Sequence, residues 1–579
     1  MVNEARLGFN RLDEFRHDAA FESTPAFLSV SGVGISTAMD FLRFDSDSYT
    51  LADNLTVVHG SHTFKTGFEV RELRTHRFDF LNPSTTYLTV AHLIADTPDS
   101  VGLTIGGQRK LRNTDYGFFW QDNWRFSRRL EINAGLRYEY FSPFSGGWNV
   151  KNSNDYFNPT YIANKGDPLY NPDRTDFSPR LGLVWDVFGD QKLVVRAGGA
   201  LTYNPPQAVY LYDLNYTADP HLPGSPSFLP SEVPPGTNLS FPFDPSFITK
   251  YISNPSSLPP RLILSESLVD PIRRDERSGT WNLSVQRAIT PTLALQASYV
   301  GTRNWDQYGS RNLNLFNKLL GTRVHPNLGT VTLREFAGRS SYHALQLALN
   351  QRLRHGLTLD FYYAYAKSLA YYGADSSNSG DATVQNANNI AGSYGPKISD
   401  LRHTETLVAS YALPTPGFAG GSAVGKGFLG GWNIQGIQTE RSGLPLNILA
   451  GVDEAGINTA GYQRPDLVAG VPLYVQNWNT QQWLNPAAFD IKTPVAQVRY
   501  GNLGFNALRG PSRFGFDFAL HKTFVIRERQ TLTFRAEAFN LMNHPIFNLP
   551  VNRVSSPTFG FITSAGDGRN VQLALKYRF

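Results

Sequence analysis

Hydrophobic and polar residues alternate with a period of two along many short stretches of this chain. In residues 130–140, Leu130, Ile132, Ala134, Leu136, Tyr138 and Tyr140 share one face. Glu131, Asn133, Gly135, Arg137 and Glu139 share the other. The last ten residues repeat the pattern, with Val571, Leu573, Leu575, Tyr577 and Phe579 against Asn570, Gln572, Ala574, Lys576 and Arg578. Such a period belongs to strands lying between an apolar and a wet phase. The strands come in pairs. Residues 116–126 precede 130–140 with only Ser127, Arg128 and Arg129 between them, which reads as a hairpin with a tight polar turn. The unit recurs at 180–186 with 193–197, 281–285 with 293–299, 345–349 with 357–365, and 514–520 with 532–538. Residues 407–413 and 432–439 flank a longer Gly-rich link, and 64–70 follow a turn near Gly60. With a first strand near residues 3–12, the chain is expected to hold about 16 strands.

Every second connection is short. The others are long, near 142–177, 204–276, 304–339, 369–400, 444–510 and 542–567. Long loops at one end and short turns at the other are what an outer-membrane barrel requires. Soluble sandwiches and propellers seldom sort their loops this way. Segments this long are also foreign to an ordinary compact domain unless they have a function. The expected fold is therefore all-β, an antiparallel transmembrane β-barrel, as one domain over residues 1–579. An amphipathic strand of about ten residues that stops on Phe579 fits the closing strand of such a barrel. Parity places Phe579 on the short-turn side, at the periplasmic rim.

Composition agrees. Of 579 residues 13% are aromatic, including 27 Tyr and 39 Phe, types that favour strands and interface girdles. The 50 Gly and 36 Pro suit turns and long loops. No stretch approaches the ~18 consecutive apolar residues of a membrane helix. A mean hydropathy of −0.30 does not oppose a membrane, because a barrel spreads its apolar residues over alternate positions. The net charge is +5, but the basic residues are scattered, so nucleic acid is not an expected partner. There is no Cys, which removes disulfides and thiolate metal sites. Residues 1–9 lack the basic and apolar regions of an export signal. The expectation is a chain that starts partway into a longer protein.

Several motifs together resemble a known family. They are His62-Thr-Phe-Lys-Thr-Gly-Phe-Glu-Val-Arg71, Tyr116-Gly-Phe-Phe-Trp-Gln-Asp-Asn-Trp124 followed by Leu136-Arg-Tyr-Glu139, Asp176-Phe-Ser-Pro-Arg-Leu-Gly-Leu-Val-Trp185, and Phe534-Arg-Ala-Glu-Ala-Phe-Asn-Leu-Met-Asn-His-Pro545. The set is similar to the Oar-like TonB-dependent transporters, and the resemblance covers nearly the whole chain. It implies a bacterial outer-membrane location, ligand uptake, and a parent with a signal peptide, a regulatory-like domain, a plug and a barrel of about 22 strands. The chain would then be the C-terminal part of that barrel, and contact with the TonB complex would run only through the missing plug. The resemblance also implies that barrel-assembly machinery reads the closing strand through Tyr577 and Phe579.

Candidate chemistry is sparse. Asp45-Ser-Asp-Ser-Tyr49 starts like a Ca²⁺ loop, but its sixth position is Thr50 where an EF-hand needs Gly. Gly32-Val-Gly-Ile-Ser36 has no third Gly and is no nucleotide fingerprint. No Ser sits in a Gly-x-Ser-x-Gly elbow. Glu131 and Glu139 share a polar strand face with Arg137, which suits cross-strand pairing better than acid–base work. No catalytic residue, cofactor or metal is expected, and an enzyme is the least favoured reading. The long loops carry aromatics, among them Tyr203, Tyr210, Tyr212, Tyr216, Trp478 and Trp483. Tyr210, Tyr212, Trp478 and Trp483 are candidate ligand contacts, against the alternative that they pack the loops. A plugless porin and a surface adhesin remain open beside the transporter reading. The ligand's identity is not legible.

Overall fold

The computed structural model describes residues 1–16, 27–30, 35–36, 42–79, 82–104, 107–146, 168–205, 227–241, 244, 246–248, 266–317, 320–326, 331–371, 384–452, 454–455, 463–477, 479–491, 499–527 and 530–579. Sixteen strands among them run as one meander. They are β1 (Val2–Arg16), β2 (Leu42–His59), β3 (His62–Asp79), β4 (Gly107–Trp124), β5 (Leu130–Phe141), β6 (Asp176–Asp186), β7 (Leu193–Asn204) and β8 (Glu276–Thr290). The run continues with β9 (Leu293–Asn312), β10 (Val331–Arg354), β11 (Leu357–Tyr371), β12 (His403–Ala412), β13 (Trp432–Arg441), β14 (Arg513–Arg527), β15 (Gln530–Phe539) and β16 (Asn570–Arg578). Each pairs antiparallel with the next. Two short strands, Glu266–Val269 against β10 and Gly395–Pro396 against β11, bring the sheet to eighteen. No described helix is long and apolar enough to cross a membrane.

The register explains the alternation. Leu532, Phe534, Ala536 and Ala538 of β15 lie opposite Tyr577, Leu575, Leu573 and Val571 of β16. One face of the pair is therefore continuous apolar surface. The other carries the Arg535–Glu537 ion pair, at 2.6 Å. Leu573 and Leu575 are 69% and 67% exposed. Side chains this apolar and this exposed need a lipid phase around them. Tertiary placement adds a girdle on the short-turn side. Trp124 packs edge-on to Phe126 at 4.8 Å. Lys522 lies against Trp432 and Phe524 and donates to the Gly430 carbonyl at 2.5 Å, a tethered cation among interface aromatics.

The parity of the connections holds. The two-residue links Gly60–Ser61, Pro291–Thr292 and His355–Gly356 all fall on one side. The Gly-rich link between β12 and β13 is a compact turn, with helix Ala423–Leu429 capped by Ser422. One boundary needs correcting. The connection expected at 304–339 is only residues 313–330, because β9 and β10 continue to Asn312 and from Val331. The 24 residues of β10 exceed the about 9–11 needed to cross a bilayer, so this hairpin stands well beyond the membrane. Its sequence loses the period of two there, and bulges at Asn304–Gln307 and Gln307–Tyr308 are the reason. Glycine also has a local role. A Cβ on Gly301 would come within 2.3 Å of the Trp281 ring, which lies across the strand at that point.

The two end strands differ from the rest. Among the described residues, β1 pairs only with β2 and β16 only with β15, and no ladder joins β1 to β16. Every residue of β16 is exposed.

Candidate functional site at the long-loop end

The long connections fold on one another. Segments from 442–512 and 540–569 build a core of Leu446, Ile448, Trp483, Leu484, Phe489, Leu503, Leu508, Phe559 and Ile562. A second core, of Val101, Phe228, Val233, Phe247 and Ile248, joins the 80–106 and 205–275 connections. Polar ties run between loops. Arg464 is 2% exposed and donates from Nε to the Leu503 carbonyl at 2.8 Å and from Nη2 to the Gly392 carbonyl at 3.3 Å. Burial pushes its guanidinium down to about 10, which leaves it charged at neutral pH. Arg509 pairs with Asp400 and donates to the Gly443 carbonyl at 2.9 Å. In the 80–106 connection, Asp99 accepts from the Leu88 amide at 2.6 Å and lies 2.8 Å from His92 Nδ1. The Leu88 bond and His92 hold its carboxyl below the ordinary value.

The loop aromatics separate on this frame. Trp483 is 8% exposed, packs edge-on to Tyr474 at 5.9 Å, and donates its indole N–H to the Arg509 carbonyl at 3.0 Å. It is a core residue of the loop cap, with its ring packed in the cluster and its nitrogen tethered. Tyr210, Tyr212, Tyr216 and Trp478 lie outside the described residues. At the other end of the chain, Tyr577 and Phe579 sit together, ring centroids 6.1 Å apart, on the free edge strand.

The inner face of the barrel, where the loops begin, is charged. Arg71 pairs with Asp115 at 2.9 Å, Arg137 with Glu139 at 2.9 Å, and Arg311 with Glu335 at 2.8 Å. Each pair is cross-strand or near-neighbour, as the alternation at Arg137 and Glu139 suggests. A cavity of about 630 Å³ opens at this rim, bordered by Asp173, Arg273, Asp306, Glu335 and Phe336. Beside it Asp173, Asp176 and Asp275 bring carboxylate oxygens within 4.8 Å of one another, and Asp176 and Asp275 are buried. Burial pushes Asp275 up, against the pull of Arg273. Sequence reading missed this cluster. Asp176 stands inside a family motif, and Asp275 lies about 100 residues further along the chain, so spacing carries no signal.

An amphipathic antiparallel meander with an apolar exterior, a charged interior rim and its longest connections on one side defines an outer-membrane β-barrel. The chain belongs to the family described as outer membrane beta barrel domain, which matches residues 1–572, and its place is the bacterial outer membrane. Curated proteins give no match. Solved structures do. The outer membrane transporter YddB from Escherichia coli superposes with a TM-score of 0.54 at 12% identity, covering 100% of this chain and 60% of that one. The copper transporter OprC (TM-score 0.46, 12% identity) and the ferric-catecholate import receptor Fiu from E. coli K12 (0.43, 11%) are covered to 62% and 61%, each by 100% of this chain. The likeness to YddB is one of fold. The chain spans about three-fifths of the length of these structures.

Proposed function

We propose that this chain is the barrel portion of a TonB-dependent outer-membrane receptor of the Oar-like kind, which takes up a ligand too large for a general porin. The observation that carries the reading is the interlocked loop cap. A passive porin works through an open mouth. Here the long connections hold one another through buried cores and through Arg464 and Arg509. The family motifs, and the likeness in fold to the outer membrane transporter YddB, support uptake as the role. The free edges of β1 and β16, with the three-fifths coverage, support a wall completed by further strands of a longer parent. In that parent the plug would contact the TonB complex, and the charged rim would meet the ligand. Assembly machinery would read the strand ending at Tyr577 and Phe579. We read the protein as a carrier and not an enzyme.

Two measurements test this. The coding sequence upstream of Met1 should continue in frame into a plug and an export signal, and an in-frame stop directly upstream would overturn the reading. The purified chain in planar bilayers should give no steady, uniform conductance. A stable open channel of one size would favour the porin instead.

A further inference from the structure

We propose that Asp173, Asp176 and Asp275 form a binding site for one hard divalent cation, of the Ca²⁺ class, at the loop-side rim between β6 and β8. The donor set is all oxygen, as such a cation prefers. The carboxylate oxygens lie within 4.8 Å of one another. Oxygens on opposite sides of Ca²⁺ stand about 4.6–5.2 Å apart, twice the metal–oxygen distance, so the ion fits with little movement.

The unmet partners point the same way. Asp176 is fully buried, and among the described residues no donor reaches either of its oxygens. Asp275 is 1% exposed, and its Oδ2 likewise meets no donor among the described residues. Two buried carboxylates that face each other cannot both stay ionised unless a positive charge joins them. Arg273 supplies one, through Nη2 to Asp275 Oδ1 at 2.7 Å. Its guanidinium is fixed against Tyr170, 3.9 Å from the ring centroid, and near Phe336 at 4.8 Å, so it does not reach the other oxygens. Three carboxylates and one guanidinium leave two negative charges, which one divalent cation neutralises. Asp173 is partly used already. Its Oδ1 accepts from the Thr175 amide and hydroxyl, and its Oδ2 takes a long 3.4 Å contact from the Asp275 amide. It also borders the 630 Å³ cavity, which gives the buried pair a route to solvent.

The site would act as a clasp. Asp173 and Asp176 stand where the 142–175 connection enters β6, and Asp275 where the 205–275 connection enters β8. A cation would tie the feet of two long loops across β7.

The test uses the full chain, folded in detergent and checked by heat-modifiable gel mobility. Calorimetry with Ca²⁺ and luminescence with Tb³⁺ should give one saturable site, with Ca²⁺ displacing Tb³⁺. D176N and D275N should weaken binding at least tenfold. D306N, which borders the cavity but not the cluster, should leave it within twofold. If neither buried variant folds, the half-exposed D173N carries the comparison and should also lose tenfold. A folded wild type with no saturable Ca²⁺ or Tb³⁺ binding would overturn the proposal in favour of a proton shared between Asp176 and Asp275. Binding unchanged in D176N or D173N would overturn it equally.

Discussion

At the scale of single residues, the loop side depends on buried charges whose partners are carbonyls and carboxylates. Arg464 serves the Leu503 and Gly392 carbonyls at once. Arg464→Leu would leave them without a donor, at a cost of about 1.5–3 kcal/mol for each charge-assisted bond lost. We expect faster amide exchange and proteolysis within 384–402 and 499–512, with the gel mobility of the barrel unchanged. Equal loss of strand protection would show that the cap and the barrel unfold together. Asp99 gives a pH test. Its carboxyl is held low by the Leu88 amide and His92. A depressed carboxylate contributes stability at pH above its unfolded value, about 4, and that stability is lost as pH falls through the lower folded value. Protection of the Leu88 amide should therefore hold at pH 5–7 and fall below about pH 4. Protection independent of pH down to 2 would contradict the assignment.

At the scale of elements, a strand and a loop fragment respond differently to the loss of an aromatic. Trp483 sits in a packed core, so Trp483→Ala should cost about 3–5 kcal/mol in the cap. The expected readout is cleavage in 442–512 by a protease the wild type resists, while the sheet survives. Phe579 is 90% exposed at the end of an edge strand. Deleting it should leave the stability of protein refolded in detergent nearly unchanged, and should lower the amount of heat-modifiable barrel in the outer membrane of cells. Normal assembly in cells would remove the role given to Tyr577 and Phe579. The elements also show what was legible. All hairpins with short turns were readable because lipid on one face and water on the other impose a period of two. The outer part of β9 and β10 was not readable. Beyond the bilayer that constraint ends, and the bulged strands pack against loop segments such as Ala387, which accepts from Arg311 at 2.7 Å.

At the scale of the whole molecule, the parity of connections gives an orientation that can be checked chemically. The chain has no Cys, so single introduced thiols report cleanly. A membrane-impermeant maleimide added to intact cells should label P235C, on the 205–275 connection, and not S61C, in the β2–β3 turn. The reverse pattern would invert the topology. The same sorting of loops explains why most of the architecture could be read in advance and most of the site could not. Strand pairing is local, through turns such as Pro291–Thr292. The rim cluster is assembled where the chain enters β6 and β8, which flank the same strand, β7.

The sequence by itself determined the class of fold, the sixteen-strand meander, the side on which the long loops lie and the polar pairing of Arg137 with Glu139. These follow from a two-residue period and turn spacing, which the solvent and the bilayer impose on each strand separately. Only the tertiary structure decided that Trp483 is core, that Arg464 and Arg509 lock the loops, and that Asp173, Asp176 and Asp275 converge. Those depend on how irregular segments far apart in the chain pack together, and no periodic constraint records that along the sequence.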